Sequence, residues 1–238
     1  MSILLFTDGA AKGNPGPGGW GVVMARGDRV RELGGRSAHT TNNQMELTAP
    51  LEALRALRGV DGVVALHADS TYVIQGITQW IHGWRRRGWH TAEGKPVLNR
   101  ELWEALAVEV TARGRGGVQW HWVRGHAAVP GNERADEIAS GCAAGKPVDL
   151  YDGSLLDYPI ALHDLPDDTS VPKRPAGGAR GKPAPAYSYL SVVDGVAVRH
   201  ATWAECERRV KGVSGAKFKK AMSAADEQAI LQGWGARL

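Results

Sequence analysis

The chain has 238 residues, of which 43% are hydrophobic and 23% charged, so the composition supports one or two folded domains and excludes a wholly disordered chain. No apolar run approaches the roughly 18 residues of a membrane span, and the first residues lack the basic segment of a signal peptide. The 29 Lys and Arg residues outnumber the 25 Asp and Glu residues by four, a surplus that permits a nucleic-acid partner without requiring one. Two cysteines are too few for a disulfide scaffold or a four-cysteine zinc site, so we expect a cytoplasmic protein.

The first 146 residues predict strands that alternate with helices. Short apolar runs predict strands at 3–6, 20–26, 29–33, 63–68 and 118–123. Apolar residues at helical spacing predict four helices, which contain Leu47, Val73, Trp103 and Ala135. The Thr/Asn cluster before the first helix is expected to cap it, and Pro50 is expected to loosen one of its turns. Asn132 is expected to cap the fourth helix. This order predicts an α/β fold with a mixed sheet and helices packed on it.

The composition changes near residue 150. Residues 152–168 carry five acids and no Lys or Arg, and residues 173–182 carry four bases among Pro and Gly. Because such composition is typical of linkers, we predict a first domain at 1–149, a linker at 150–186 and a second domain at 187–238. The second domain is expected to be small and α+β, since two alternating stretches flank Asp194-Gly195 and a helical stretch follows.

Four acidic residues fall at the ends of predicted elements, namely Asp8, Glu46, Asp69 and Asp136. Acids at strand ends lie where open sheets form ligand sites, although each one alone is also explained as a helix cap or a first-turn acid. Converging carboxylates repel one another, and a hard cation such as Mg²⁺ or Mn²⁺ relieves that repulsion. The spacing alone does not establish that the four acids converge.

Four sequence blocks carry a family resemblance. They are FTDGAAKGNPGPGGWG (6–21), TTNNQMEL (40–47), ADSTYVIQGITQWIHGWRRRGW (68–89) and WVRGHAAVPGNERADEIA (122–139). In this order they resemble type I ribonuclease H of the bacterial kind over nearly all of residues 1–146. The resemblance implies a ribonuclease H-like, five-stranded mixed sheet with helices on both faces. It also implies an endonuclease that hydrolyses the RNA strand of RNA–DNA hybrids and leaves 5′-phosphate and 3′-hydroxyl ends.

The resemblance assigns catalytic roles to the acidic residues. Asp8, Glu46, Asp69 and Asp136 are implied to gather around two Mg²⁺ ions, for which Mn²⁺ can substitute, and Asp8 resembles the carboxylate that bridges them. Two such ions activate the attacking water and neutralise the leaving oxygen. His126 matches the family histidine that handles protons or helps the product leave.

The resemblance also assigns residues that contact the hybrid. Asn14, Asn42 and Asn43 match positions that read the RNA 2′-hydroxyls, and short amides suit this task because they both donate and accept hydrogen bonds. On the DNA side, the matching residues are Thr41 in a phosphate pocket and Trp80 and Trp84 in an aromatic channel. His39 and Gly83 depart from the family pattern, where an arginine and an amide are usual, and the basic stretch 85–100 is expected to compensate. We interpret Trp120 and Trp122 as core residues.

The segment 201–220 resembles the small hybrid-binding domain attached to many eukaryotic ribonucleases H. The resemblance depends on TWAEC, the V-x-G step and GAKFKK. It implies that Trp203 stacks on a sugar and that Lys219 and Lys220 meet phosphates. Ala221 replaces the usual aromatic residue, so this domain could instead contact protein or double-stranded RNA.

The leading hypothesis is therefore a monomeric, Mg²⁺-dependent ribonuclease H that binds RNA–DNA hybrids, with no membrane partner and no small-molecule cofactor. One alternative is a different nuclease with the same fold and similar acids. Another is a hybrid-binding adaptor whose nuclease has decayed, although all four acids remain in the sequence.

Overall fold

The computed structural model describes residues 2–125, 129–172 and 186–238. The chain divides into two compact units, residues 1–172 and 173–238. Within the described ranges, no helix combines the length and the apolar character needed to cross a bilayer.

The first unit is a mixed sheet flanked by helices. Its strands are β1 (Ser2–Ala11), β2 (Gly16–Arg26), β3 (Arg29–Thr40), β4 (Val63–Ala68), β5 (Val118–Trp122) and β6 (Asp152–Ser154). Its helices are α1 (Asn42–Ala56), α2 (Thr71–Gln75), α3 (Ile81–Arg86), α4 (Arg100–Ala112) and α5 (Pro130–Ala143). The strand order is β5-β4-β1-β2-β3-β6, and β4 lies parallel to both β1 and β5. The predicted fold class is confirmed, and β6 adds a sixth strand to the five expected.

Alternating side chains of the central strands build two cores, one on each face of the sheet. Ile3 and Leu5 of β1 are fully buried on one face, where they pack with residues of α1 and α4 such as Leu54 and Leu106. Phe6 points to the other face and joins the cluster that contains Ile138 of α5. Helices therefore cover both faces, and β1 is held rigidly between them.

A π-helical turn, Gly76–Trp80, joins α2 to α3. Gly76 lies directly against the Trp103 ring, since a Cβ atom at this position would come within 2.0 Å of it. Trp120 and Trp122 are partly buried against the same core cluster, as the sequence predicted. The α2–α3 segment thus lies close against α4 and holds its tryptophans at one end of the sheet.

The predicted linker is wrong in its first part, because residues 150–172, hereafter the belt, fold onto the first unit. The belt begins with β6, which pairs with Arg29–Arg31 of β3, and it buries Tyr158 and Leu162 in the second core cluster. It ends on β5, where the backbone N–H of Trp122 donates to the carbonyl of Thr169 at 2.7 Å. Its acids suggested a linker, but they are exposed, while Tyr158 and Leu162 between them are buried. The remainder of the predicted linker, residues 173–185, lies outside the described residues.

The helix starts differ in how well the sequence predicts them. Thr41 caps α1 as expected, with its Oγ1 accepting from Gln44 N and the Gln44 side chain accepting from Thr41 N. The predicted cap at Asn132 is wrong, because α5 begins two residues earlier, at Pro130. Proline suits the first helical position because it has no N–H to satisfy. Asn132 is instead buried in the first turn.

The second unit is a small α+β domain, as predicted. Its elements are β7 (Ser188–Val193), β8 (Val196–His200), α6 (Trp203–Val210), β9 (Lys217–Ala221) and α7 (Ala224–Trp234). The antiparallel order is β8-β7-β9, and Asp194-Gly195 forms the β7–β8 turn with positive φ at both residues. Leu190, Ala221 and Ile230 form its small core.

Candidate active site

Asp8 lies on β1 at the centre of the site. Its Oδ1 accepts a hydrogen bond from the Gly9 N–H at 2.6 Å, and its backbone lies opposite Gly21 of β2. Burial and, next, the charge of Asp69 raise the pKa of the Asp8 carboxyl to about 8, with smaller contributions from Asp136 and Glu46. The structure therefore brings the four predicted acids within electrostatic range of one another.

Glu46 is fixed by two hydrogen bonds, one on each carboxylate oxygen. Asn42 Nδ2 donates to Oε1 at 2.8 Å, and Ser70 Oγ donates to Oε2 at 2.6 Å. Burial raises the pKa of Glu46, as does the charge of Asp69, while these two bonds oppose the rise. Gly9 lets α1 approach β1 this closely, since a Cβ atom there would lie 2.2 Å from Glu46 N. The sequence analysis missed Ser70, whose position directly after Asp69 was the available signal.

Asp69 follows β4 and is held through its backbone. Its carbonyl accepts a hydrogen bond from Trp122 Nε1 at 3.0 Å. The loop after β5 passes directly over its side chain, since a Cβ atom on Gly125 would lie 2.6 Å from Asp69 Oδ2. His126 is the next residue in this loop, but it lies outside the described residues.

Asp136 is positioned by the packing of α5 on β2. A Cβ atom on Gly21 would lie 2.2 Å from the carbonyl O of Ala135, so the helix backbone rests directly on the strand. Because Gly21 lies opposite Asp8, this contact carries Asp136 toward Asp8. Asp136 Oδ1 accepts a hydrogen bond from Ser140 Oγ at 3.2 Å.

The donor set of the site suits a hard divalent cation. Over the described residues, no three His, Cys, Asp or Glu side chains are already arranged as metal ligands. Repulsion from the other three acids nevertheless adds to burial in raising the pKa of Asp8, and a cation with oxygen ligands would relieve that repulsion. All four side chains of the set are carboxylates, the ligand type that Mg²⁺ and Mn²⁺ prefer.

The predicted 2′-hydroxyl readers lie beside the acids. Asn14 is exposed in the β1–β2 turn, and its Oδ1 accepts from the Asn42 N–H at 3.4 Å. Asn43 is exposed on the first turn of α1, and Thr41 is the cap of the same helix. These residues therefore surround the N-terminus of α1, whose Glu46 belongs to the acidic site.

The two predicted channel tryptophans differ in exposure. Trp80 is half-buried, whereas Trp84 is only 8% exposed and its ring lies edge-on to Trp103 at 5.3 Å. The rings of Trp80 and Trp84 are 5.8 Å apart. Trp84 is thus mainly a core residue that supports Trp80, and little of its own surface faces solvent. The Arg87 guanidinium lies over Gly83, where a Cβ atom would come within 2.9 Å of it.

In the second unit, Trp203 forms part of an exposed aromatic cluster. Its ring lies 5.9 Å from Tyr189 and 5.5 Å from Phe218. Trp203 is 41% exposed and Phe218 is 52% exposed, unusual values for residues of this size. Tyr189 and Phe218 were missed in the sequence, although the alternation in KFKK places Phe218 and Lys220 on one face.

Lys219 and Lys220 lie opposite different residues of β7. Lys220 pairs with Tyr189 of the aromatic cluster, and Lys219 pairs with the core residue Leu190. Adjacent residues of a strand point to opposite faces, so Lys220 shares the face of the cluster and Lys219 does not. The two lysines are therefore not equivalent.

Comparison with known sequences gives two family matches. The RNase H profile matches residues 1–144, and the profile of the ribonuclease H1 N-terminal domain matches residues 200–226. A Ribonuclease H of Rhizobium meliloti (strain 1021) is 58% identical over 137 residues, which are 58% of this chain and 87% of that protein. A Ribonuclease H of Acidovorax sp. (strain JS42) is 55% identical over 138 residues, or 58% of this chain and 92% of that protein.

Solved structures agree with the sequence matches. LC9-RNase H1, described as a type 1 RNase H with the type 2 active-site motif, is 35% identical with a TM-score of 0.55, and the match covers 64% of this chain and 77% of that one. The foamy viral protease-reverse transcriptase in complex with an RNA/DNA hybrid shares the fold at 18% identity and a TM-score of 0.52, over 60% of this chain and 20% of that one. With a profile match over more than half of its length and an acidic site on the matching unit, the chain belongs to the RNase H family and is an enzyme of that family.

Proposed function

We propose that the chain is an endoribonuclease that hydrolyses the RNA strand of RNA–DNA hybrids and leaves 5′-phosphate and 3′-hydroxyl ends. The observation that carries this proposal is that Asp69, Asp136 and Glu46 lie close enough to the buried Asp8 for their charges, together with burial, to raise its pKa to about 8. A cluster of this kind suits divalent cations and phosphodiester hydrolysis. Family membership supplies the substrate class.

The side chains of the site have distinct roles in this proposal. Two Mg²⁺ ions, when bound, would supply an activated water and neutralise the departing oxygen. Asp8, Glu46, Asp69 and Asp136 would hold them, and the bonds from Asn42 and Ser70 keep Glu46 in one orientation. His126 would transfer protons or assist release of the product.

Recognition of the RNA strand is assigned to Asn14, Asn42 and Asn43. Because Asn42 already donates through Nδ2 to Glu46, its Oδ1 would accept from a 2′-hydroxyl. One residue would then link the recognition of RNA to the orientation of an active-site acid. Thr41 and Trp80 would contact the DNA strand, with Trp84 behind Trp80.

The second unit would bind the hybrid outside the active site. Trp203 would stack on a sugar, as its exposed ring allows, and Lys219 and Lys220 would meet phosphates. A tethered second module raises the affinity for long hybrids through effective concentration. Cytoplasmic location and a monomeric state remain predictions.

A cleavage assay with labelled substrates tests the function. RNA–DNA hybrid, double-stranded RNA, single-stranded RNA and double-stranded DNA are each incubated with Mg²⁺, Mn²⁺ or a chelator, and the product ends are mapped. We expect cleavage of the hybrid alone, only with a divalent ion. Binding of the hybrid without cleavage would favour the adaptor alternative, and cleavage of another substrate would favour a different nuclease of the same fold.

A further inference from the structure

The belt contacts two elements that position acids of the candidate active site, although the RNase H match ends at residue 144, before the belt begins. One contact is with α5, which bears Asp136. The other is with the end of β5, whose Trp122 contacts Asp69. Both contacts are built from hydrogen bonds between buried or half-buried groups.

The first contact is centred on Glu32, which is only 3% exposed. Tyr158 of the belt donates its hydroxyl hydrogen bond to Glu32 Oε1 at 2.5 Å. Arg134 of α5 donates from Nε to Oε1 and from Nη2 to Oε2, each at 2.8 Å. The Tyr151 N–H adds a bond to Oε2 at 3.0 Å. Both carboxylate oxygens therefore receive at least two hydrogen bonds, and the belt supplies one at each.

Arg134 fastens the first half of α5 to this network. It lies two residues before Asp136, and its Nη2 also donates to the Asp149 carbonyl at 2.7 Å. The helix has no side-chain hydrogen bond at its N-cap, Val129, so Arg134 supplies a restraint that the cap does not. Loss of one partner of a buried charged group weakens the whole network, because the remaining groups stay buried.

The second contact reaches Asp69 through Trp122. The Thr169 carbonyl of the belt accepts from the Trp122 backbone N–H at 2.7 Å, and the Trp122 indole donates to the Asp69 carbonyl at 3.0 Å. His121 Nδ1 lies 2.9 Å from Thr169 Oγ1 and fastens the same end of the belt.

We propose that the belt is a positioning element of the active site and that Tyr158 is a positioning residue, which acts through Glu32 and Arg134 on the placement of Asp136. The proposal rests on the proposed function, since it concerns the geometry of that site. Shifts of about 1 Å in a reacting group are enough to reduce turnover strongly. Residues outside the RNase H match would thus set the efficiency of the acids within it.

The test compares Tyr158→Phe with Tyr151→Phe in the full chain. Both variants remove one tyrosine hydroxyl from the belt, but the Tyr151 hydroxyl donates to the Ser154 carbonyl at 2.7 Å, within the belt itself. The measurements are kcat and KM on a hybrid, Mn²⁺ affinity by calorimetry without nucleic acid, and the thermal midpoint.

For Tyr158→Phe we expect kcat and Mn²⁺ affinity to fall by about tenfold, as is typical when the support of a ligating group is lost, with KM unchanged. Tyr151→Phe should lower the thermal midpoint comparably and leave kcat and Mn²⁺ affinity unchanged. If Tyr158→Phe fails to fold, Glu32→Gln provides the same comparison, because it keeps the shape and removes the charge that Arg134 holds.

Equal behaviour of the two tyrosine variants, with a changed midpoint and unchanged kcat and Mn²⁺ affinity, would overturn the positioning role. A wild-type chain without divalent-dependent cleavage of hybrids would instead overturn the proposed function. The two failures are therefore distinguishable.

Discussion

The two units of this chain differ in how deeply they bury their candidate functional groups. In the first unit, the acids are drawn toward the interior and held by neighbours, as the two hydrogen bonds on Glu46 illustrate. In the second unit, the aromatic cluster lies at the surface, with Trp203 41% exposed. The contrast is the one expected between the proposed catalytic site, which must orient reacting groups, and the proposed binding surface, which only has to contact its ligand.

The hydrophobic cores of the two units differ in size. The first unit has two clusters around a rigid sheet, whereas the second has a small cluster of Leu190, Ala221 and Ile230. A large core can offset the cost of partly burying like charges, and a small one cannot. Substitutions in the first unit should therefore change turnover, and those in the second should change affinity.

The largest effect is expected for Asp8→Asn. It removes the charge at the centre of the acidic site, so cleavage should fall by more than about a thousandfold while hybrid binding persists. The matched control is Asp152→Asn, an exposed belt acid whose bond to Arg29 is a surface ion pair, and it should cleave normally. Turnover above about a tenth of wild type for Asp8→Asn at saturating Mg²⁺ would contradict the role of the site.

The next largest effect is expected on stability, when a chain truncated before the belt is compared with one truncated after it. A chain that ends at residue 149 loses the buried Tyr158 and Leu162, each of which contributes roughly 1.5–3 kcal/mol through burial. It should unfold at much lower denaturant than a chain that ends at residue 172, as measured by circular dichroism. The longer chain should retain kcat on short hybrids and lose affinity for long ones. Equal stability of the two chains would show that the belt is dispensable.

Trp203→Ala should weaken binding of long hybrids by about 1–3 kcal/mol, the range for loss of one stacking contact. Hybrids too short to reach both units should show no change in kcat or KM. Val196→Ala, also at an exposed position of the second unit, is the control. Fluorescence anisotropy measures the affinities, and identical values for Trp203→Ala and wild type on a long hybrid would refute a role in hybrid binding.

A smaller effect distinguishes the two lysines. Lys220 shares the face of the aromatic cluster, so Lys220→Ala should reduce the slope of log affinity against log salt by about one unit. Lys219→Ala should reduce it less, because Lys219 points to the other face. If both substitutions changed the salt dependence equally, the face of β9 on which a lysine lies would not determine whether it contacts phosphate.

The acid dependence of stability provides a further, smaller test of the first unit. Burial alone would raise the pKa of Glu32, but hydrogen bonds from Arg134, Tyr158 and the Tyr151 N–H outweigh it and lower the pKa. A lowered carboxyl pKa stabilises the fold above the ordinary value of 4.5 and loses that contribution as the pH falls through the folded value. Thermal midpoints measured from pH 6 down to about pH 3 should therefore decline less steeply for Glu32→Gln than for wild type. If the thermal midpoints of Glu32→Gln and wild type declined in parallel with pH, Glu32 would make no such contribution to stability.

The sequence predicted well what depends on local patterns. Strands β1 to β5, the helical stretches of the first unit and the Thr41 cap follow from alternation, helical spacing and capping chemistry. The belt could not be predicted, because the Tyr158–Glu32 contact joins residues 126 positions apart and no local pattern encodes it. The acids between its apolar residues gave the composition of a linker.

The four acids of the candidate site could be predicted from the sequence, but most of the residues that support them could not. The acids could be named because family blocks contain them, whereas the support of Glu46 by Ser70 needed the fold. Burial of Trp84 behind Trp80 likewise depends on Trp103, which comes from another helix. Residues proposed to act directly were visible in the sequence, and the residues that hold them in place were not.

The ends of the belt also protect the outer strands of the sheet. β6 occupies part of the free side of β3, and Thr169 meets the outer side of β5. Uncovered strands recruit other chains through their unpaired backbone groups and lead to aggregation or strand exchange. A nuclease fragment cut before residue 150 should therefore be poorly soluble during expression, and one that includes residue 172 should remain dispersed at high concentration.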